Sequence, residues 1–476
     1  MRSKFSQFGL IIAGVLIGVA ISLNYSAIAQ RDAALQPLPI EELRAFTEVF
    51  GRVKSDYVEP VADKKLISEA INGMLTGLDP HSAYLDQEAF KELQVGTQGQ
   101  FGGLGIEVGM EDGFVRVISP IDDSPASRAG IKSGDLIVKL DETSVKGMTL
   151  NDAVKRMRGK PNTQIMLTIV RKGEAKPIVV TLTRAVIKIQ SVKSKLLEPG
   201  YAYIRVTQFQ EHTGDTLAQS IERLFKENQG AMKGLILDLR NDPGGLLNGA
   251  VAVSAAFLPK DVLVVYTDGR TEDAKMKLNA SPENYLRGRN KEDFLKRLPQ
   301  EAKSVPMVVL VNGGSASASE IVAGALQDHE RAVIMGQQTF GKGSVQTILP
   351  LGNNTAIKLT TARYYTPKGR SIQAKGITPD IPLDDGAGER GASLKLREAD
   401  LTKHLTETTP PADKAADKDA AAAASALKYK FTPAPRPKIT DEKLLRPAPG
   451  EIVSPNDYEL NQAVAFLKSR GGSKVN

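Results

Sequence analysis

Residues 308–320 read V-V-L-V-N-G-G-S-A-S-A-S-E. The apolar run that opens the stretch, Val308 to Val311, is that of a buried strand. It breaks at Gly313 and Gly314, and Ser315, Ser317 and Ser319 then lead into a helical pattern. A serine on a strand-to-helix turn sits beside free backbone N–H groups, where a developing oxyanion is stabilised. Its hydroxyl is a weak nucleophile until a base removes the proton, and the chain offers few histidines for that task. A desolvated lysine serves instead, because burial lowers the ammonium pKa toward neutrality. Residues 340–344, F-G-K-G-S, put Lys342 between two glycines on a tight segment. Each segment alone also reads as plain structure: small residues for close packing, and a solvated turn lysine.

Three further motifs stand upstream: G-L-D-P-H-S at 77–82, F-G-G-L-G-I at 101–106, and D-L-R-N-D-P-G-G at 238–245. Together with the serine motif and the F-G-K-G segment they stand in this order between residues 77 and 344, within a resemblance that covers residues 42–383. The set resembles the carboxyl-terminal processing proteases, the tail-specific serine–lysine peptidases of family S41 found in the periplasm and the chloroplast lumen. The resemblance implies that Ser317 is the nucleophile, Lys342 the general base, and Gln346 the residue that orients the lysine. Some members use an aspartate on the helix after the serine, and Asp328 matches it. A glycine of the 241–245 turn, Gly244 or else Gly245, would form the oxyanion hole with the N–H of Ser317. Asp238 and Arg240 read as a structural ion pair.

The expected fold is a multidomain α/β chain. Apolar residues at helical spacing (Leu43, Phe46, Val49, Phe50, Val53) make 38–95 a helical domain, broken at Asp79-Pro80. His81 reads there as a structural or capping residue. From 96 to 184 short alternating runs are punctuated by glycine, as in strands. S-P-A-S-R-A-G at 124–130 and G-D-L-I at 134–137 resemble a PDZ domain, β-rich with two helices. Residues 101–106 would be its carboxylate-binding loop, with Gly103, Leu104, Gly105 and Ile106 taking a peptide C-terminus while the peptide adds a strand. Strand-like and helix-like runs alternate from 185 to 384, the texture of an α/β protease core with a mixed sheet. Residues 385–476 read as a low-complexity linker and tail, rich in alanine and proline, ending in an amphipathic piece at 458–468 whose partner is open, self-association included.

Composition narrows the function. The 476 residues include no cysteine, which excludes thiol nucleophiles and thiolate metal sites and suits an oxidising compartment. The four histidines show no metal-ligand spacing, so no metal is expected, and no cofactor. The net charge of +7 is spread without an arginine-rich run, which argues against a nucleic-acid partner. Gly336 to Lys342 fits seven positions of a phosphate-binding loop, but Gly343 stands where the hydroxyl belongs and a strand pattern follows. Arg2 and Lys4, the apolar run 8–23 and Ala27-Ile28-Ala29 form an export signal, cleaved after Ala29 or kept as an inner-membrane anchor. Either outcome puts the rest in the periplasm or beyond, with the membrane touched only through this segment. The function expected is that of a secreted serine endopeptidase that captures protein C-termini, with an adaptor protein and a homo-oligomer left open. The alternative is an inactive PDZ scaffold; a fluorophosphonate probe on Ser317 separates the two.

Overall fold

The computed structural model describes residues 38–121, 124–287, 292–383, 396–406, 429, 431–437 and 451–470. The expected export signal at 1–29 lies outside them. Among the described residues, no helix is long and apolar enough to cross a membrane. The chain divides after Ile71 into two units. In the first, the helix Ile40–Asp56 carries Glu41 and Glu42 in its first turn and Lys54 in its last, each suited to the helix dipole.

The second unit holds the rest. Its central sheet runs Val192–Glu198, Tyr201–Val206, Gly234–Asp238, Met307–Val311, Val333–Gly336 and Ile381–Pro382. The first pair is antiparallel and the remaining pairs are parallel, so the sheet is mixed. Both faces are covered, which is why its inner strands read as unbroken apolar runs. Leu235, Leu237, Val309 and Val311 face a core shared with the helices Thr213–Glu227, Leu247–Ala255 and Ala318–Asp328. Tyr203, Ile236, Val308 and Leu310 face the other way, onto Tyr458, Leu460, Phe466 and Leu467. These four belong to the helix Tyr458–Arg470, so the partner that the sequence left open is the protein's own sheet.

A second sheet is antiparallel throughout. Ala356–Tyr365 lies at its centre and pairs with Ser344–Pro350, Leu263–Gly269 and Ala83–Leu85. The last of these is a strand that the helical reading of residues 38–95 did not contain. Its pairing of Ala83 with Lys358 brings the preceding D-P-H-S motif beside Thr360.

Residues 106–183, where a PDZ-like domain is expected, form a six-stranded antiparallel sheet with the helices Pro125–Arg128 and Leu150–Met157. Ser124 caps the first helix and also donates to Gly105 O at 3.1 Å, while Ala126 N donates to Leu104 O at 3.0 Å. Gly105 has φ +74°, and a Cβ there would lie 2.2 Å from Ser124 Cβ, so only glycine fits. The short helix therefore braces the expected carboxylate loop. Gly103 ends the strand Gln100–Gly103, paired with Ala185–Lys188, and Ile106 begins the next strand. Leu104 is buried in the domain core, and its N–H and that of Gly105 make no hydrogen bond among the described residues.

Candidate active site

Three turns follow the C-terminal ends of neighbouring parallel strands, the usual place for a site in an open α/β sheet. They are 241–245 after Gly234–Asp238, 312–317 after Met307–Val311, and 339–343 after Val333–Gly336. The first two are stitched together. Ser315 Oγ donates to Leu239 O at 2.8 Å, Ala316 N to Asp242 O at 3.0 Å, and Ser319 Oγ to Asp242 O at 3.0 Å. Two of the three serines are thus fully buried and committed to backbone carbonyls. Ser317 alone of the three is half-exposed.

Ser317 is the N-cap of the helix Ala318–Asp328, with φ +56° and ψ −113°. A non-glycine residue rarely adopts such a backbone, and strain of this kind gathers at functional turns. Gly244 packs directly against it. A Cβ at position 244 would lie 2.8 Å from Ser317 Cβ, Ala316 O and Ala318 N.

Glu320 joins the serine turn to the lysine turn. Its carboxylate is completely buried. Oε2 accepts the Ser317 N–H at 2.8 Å and the Lys342 N–H at 2.9 Å. Oε1 accepts the Gly341 N–H at 2.7 Å and the Thr339 hydroxyl at 2.5 Å. Burial pushes this carboxyl up to about 7 even against those four bonds. The residue was not singled out in the sequence, yet Ser317-Ala318-Ser319-Glu320 carries the S-x-x-E signature of a capping box.

Lys342 is half-buried. Its ammonium is held below the ordinary lysine range by burial and by the charge of Lys358, against the pull of Glu398, Glu320 and Asp79. The buried Tyr364 hydroxyl donates to the Lys342 carbonyl and is also hydrogen-bonded to the Ser317 side chain. The Gln346 amide donates to Ser344 Oγ at 3.0 Å and Thr360 Oγ1 at 3.2 Å. Thr360 in turn donates to Asp79 at 3.1 Å, which ties Gln346 to the upstream D-P-H-S motif.

The structure therefore brings Ser317, Lys342 and Gly244 into one cluster, whereas the Gln346 side chain bonds to Ser344 and Thr360 and, among the described residues, not to Lys342. Asp328 is elsewhere. It ends the helix that Ser317 begins, accepting Arg370 Nη2 at 2.5 Å and Lys368 N at 2.8 Å, and it is not among the groups that act on Lys342. The two N–H groups expected to hold an oxyanion are both engaged: Gly244 N donates to Asp242 Oδ1 at 2.8 Å, and Ser317 N to Glu320. An N–H committed to a buried carboxyl has no second proton to offer. The N–H groups of Gly245 and Ala318 make no hydrogen bond among the described residues. Asp238 and Arg240 do form an ion pair at 2.7 Å, and Arg240 also reaches Asp457 at 2.7 Å and Glu459 at 2.5 Å.

The chain matches the family models of peptidase family S41 over residues 200–383, of the PDZ domain over 102–182, and of the activating protease CtpB N-terminal domain over 20–89. It is 45% identical to a carboxy-terminal-processing protease of Bartonella bacilliformis over 83% of this chain and 87% of the relative. It is 34% identical to the carboxy-terminal processing protease CtpA of Bacillus subtilis, over 81% of this chain and 78% of that one. Among solved structures it is similar to a photosystem II D1 C-terminal processing protease, at 31% identity over 72% of this chain and 87% of that chain, with a TM-score of 0.39. On the family models and the curated relatives, the chain belongs to the carboxy-terminal-processing proteases of peptidase family S41 and carries their PDZ domain.

Proposed function

We propose that this protease is an exported serine endopeptidase in which Ser317 attacks and Lys342 serves as base. The observation that carries the reading is the shared hold of Glu320 on the Ser317 and Lys342 backbones, with Ser315 and Ser319 already committed elsewhere. A neutral Lys342 Nζ takes the Ser317 Oγ proton as Oγ bonds to the scissile carbonyl carbon. The lowered ammonium pKa supports that role, since the base is then free nearer neutral pH. The oxyanion is received by the Ala318 N–H and by a glycine of the 244–245 pair, the uncommitted Gly245 N–H being the better placed chemically. The ammonium returns its proton to the leaving amine as the C–N bond breaks. Water, deprotonated by the same lysine, then releases the acyl group from Ser317. Gln346 keeps the 344–346 strand and Thr360 in register beside the base.

Substrates are protein C-termini. The N–H groups of Leu104 and Gly105 take the terminal carboxylate, and the chain is passed from the PDZ domain to the serine. Export follows the signal read at residues 1–29, to the periplasm. The test is covalent. A fluorophosphonate probe should label wild type on the peptide that contains Ser317 and fail to label Ser317→Ala. Equal labelling of both proteins would refute the assignment.

A further inference from the structure

Glu398 lies beyond the residues matched by the protease family model, yet its carboxylate is completely buried. His81 Nε2 meets its two oxygens at 2.8 and 3.0 Å, and facing a carboxylate that nitrogen carries the proton. Gln373 Nε2 donates to Oε1 at 2.9 Å. The same Gln373 accepts the Gly343 N–H through its own Oε1 at 3.0 Å. The backbone N–H of Glu398 donates to Phe340 O at 3.1 Å. One residue therefore holds position 340 directly and position 343 through a single amide, and Lys342 lies between them. Arg397 adds to the hold, donating to Lys375 O at 2.7 Å and Gln338 Oε1 at 3.3 Å.

We propose that Glu398 is a positioning residue for Lys342, clamping both flanks of the turn that carries the base and supplying a fixed negative charge beside it. The inference rests on the Ser317–Lys342 reading above. A buried carboxylate without partners would be costly, and here each oxygen has a donor. The charge stays on the carboxylate: burial works against it, but the bonds from His81 and Gln373 and the charges of His81 and Lys342 prevail. The charged groups acting on Lys342 are Lys358, Glu398, Glu320 and Asp79, and Glu398 leads those that favour the ammonium. Glu398 thus opposes the desolvation that frees the base, and raises the pH at which the lysine becomes available. His81 anchors this clamp, which gives the D-P-H-S motif a role distinct from capping.

The experiment uses full-length protein and follows the rate of fluorophosphonate labelling at Ser317 against pH. Glu398→Gln keeps the size and removes the charge. Its acid limb should move about one unit toward lower pH, as expected for losing a nearby opposite charge. Its plateau rate should fall about tenfold as the turn loosens. Gln373→Met cuts the link to Gly343 and keeps the carboxylate with its His81 partner, so its plateau should fall with the limb moved far less than in Glu398→Gln. Limb and plateau within twofold of wild type in both variants would overturn the proposal and leave the dyad standing. If circular dichroism finds Glu398→Gln unfolded, Gln373→Met decides alone, and a plateau within twofold of wild type overturns the clamp. Labelling that persists in Ser317→Ala would sink the dyad, and the clamp with it.

Discussion

Ser317 and Lys342 donate their backbone N–H groups to the same oxygen, Glu320 Oε2, at 2.8 and 2.9 Å. The proposed nucleophile and base thus have their backbones fixed to one atom, although 24 residues and a strand separate them in sequence. Ser317→Ala and Lys342→Ala are each expected to abolish proteolysis, and the double variant to be scarcely worse, since the pair acts as a unit. Ser315→Ala and Ser319→Ala should retain measurable turnover, their hydroxyls being tied to Leu239 O and Asp242 O. Peptidase assays on the four single variants decide. An active Ser317→Ala beside a dead Ser315→Ala would move the nucleophile.

The pH profile follows from the lysine. Burial lowers the Lys342 pKa below 10.5, and only the neutral amine accepts the serine proton. The rate should rise with pH and level off below the ordinary lysine range. Single-turnover rates, in which chemistry limits, measure this directly. A flat profile from mildly acid to alkaline pH would contradict a lysine base.

Glu320 makes a second, separate pH prediction, for stability. Folded, its carboxyl keeps a proton up to about 7; a free carboxyl loses it near 4.5. Between those values the folded chain binds more protons than the unfolded one, so this group's contribution weakens as pH rises through the window. Glu320→Gln should flatten that part of the stability–pH curve in urea titrations. The amide offers one acceptor where two are used, so activity should also drop by about a hundredfold through misplaced turns.

Arg240 is a structural test. Replacing it with methionine leaves Asp238 buried with Tyr203 and a distant Arg205 at 3.7 Å. An unpaired buried charge costs about 3 kcal/mol or more, so the melting temperature should fall by several degrees. A double-mutant cycle with Asp457→Asn should show strong coupling, and independent effects would argue that the contact is dispensable.

Tail capture is tested by chemistry on the substrate. A protein with a free apolar C-terminus should be cleaved faster at low concentration than the same protein amidated. Gly105→Val, which forces a side chain into Ser124, should raise KM for the free tail toward that of the amidated one. Equal rates for the two substrates in wild type would remove the carboxylate from recognition.

The sheet was legible because its inner strands are buried on both faces, so Leu235 to Leu237 and Val308 to Val311 show as continuous apolar runs in sequence. Ser317 and Lys342 were legible as motifs, each carried on a glycine-bounded turn. What could not be read was convergence. Glu320 looks like one more helix-start carboxylate, and nothing local says that it reaches residues 339–342. Ala83–Leu85 is three residues long, too short for alternation to register, and its place is set by pairing with a strand more than two hundred residues away. Asp328 fails for the opposite reason: its spacing suits the motif, but three helical turns carry it to the far end, where Arg370 takes it. The Glu398 clamp depends on contacts 317 residues apart in sequence and leaves no local trace.

The helix Tyr458–Arg470 has a bearing on how the enzyme is made. Arg240 waits 217 residues for Asp457, and the sheet face of Tyr203, Ile236 and Val308 stays uncovered until Phe466 and Leu467 arrive. All three turns of the site leave the ribosome well before those residues do. A nascent chain thus holds the Ser317 and Lys342 turns on an unfinished sheet, its Arg240 guanidinium still without two of its carboxylates. The sheet that carries the site is therefore completed by a segment made after the site itself, so its folding waits on the helix Tyr458–Arg470.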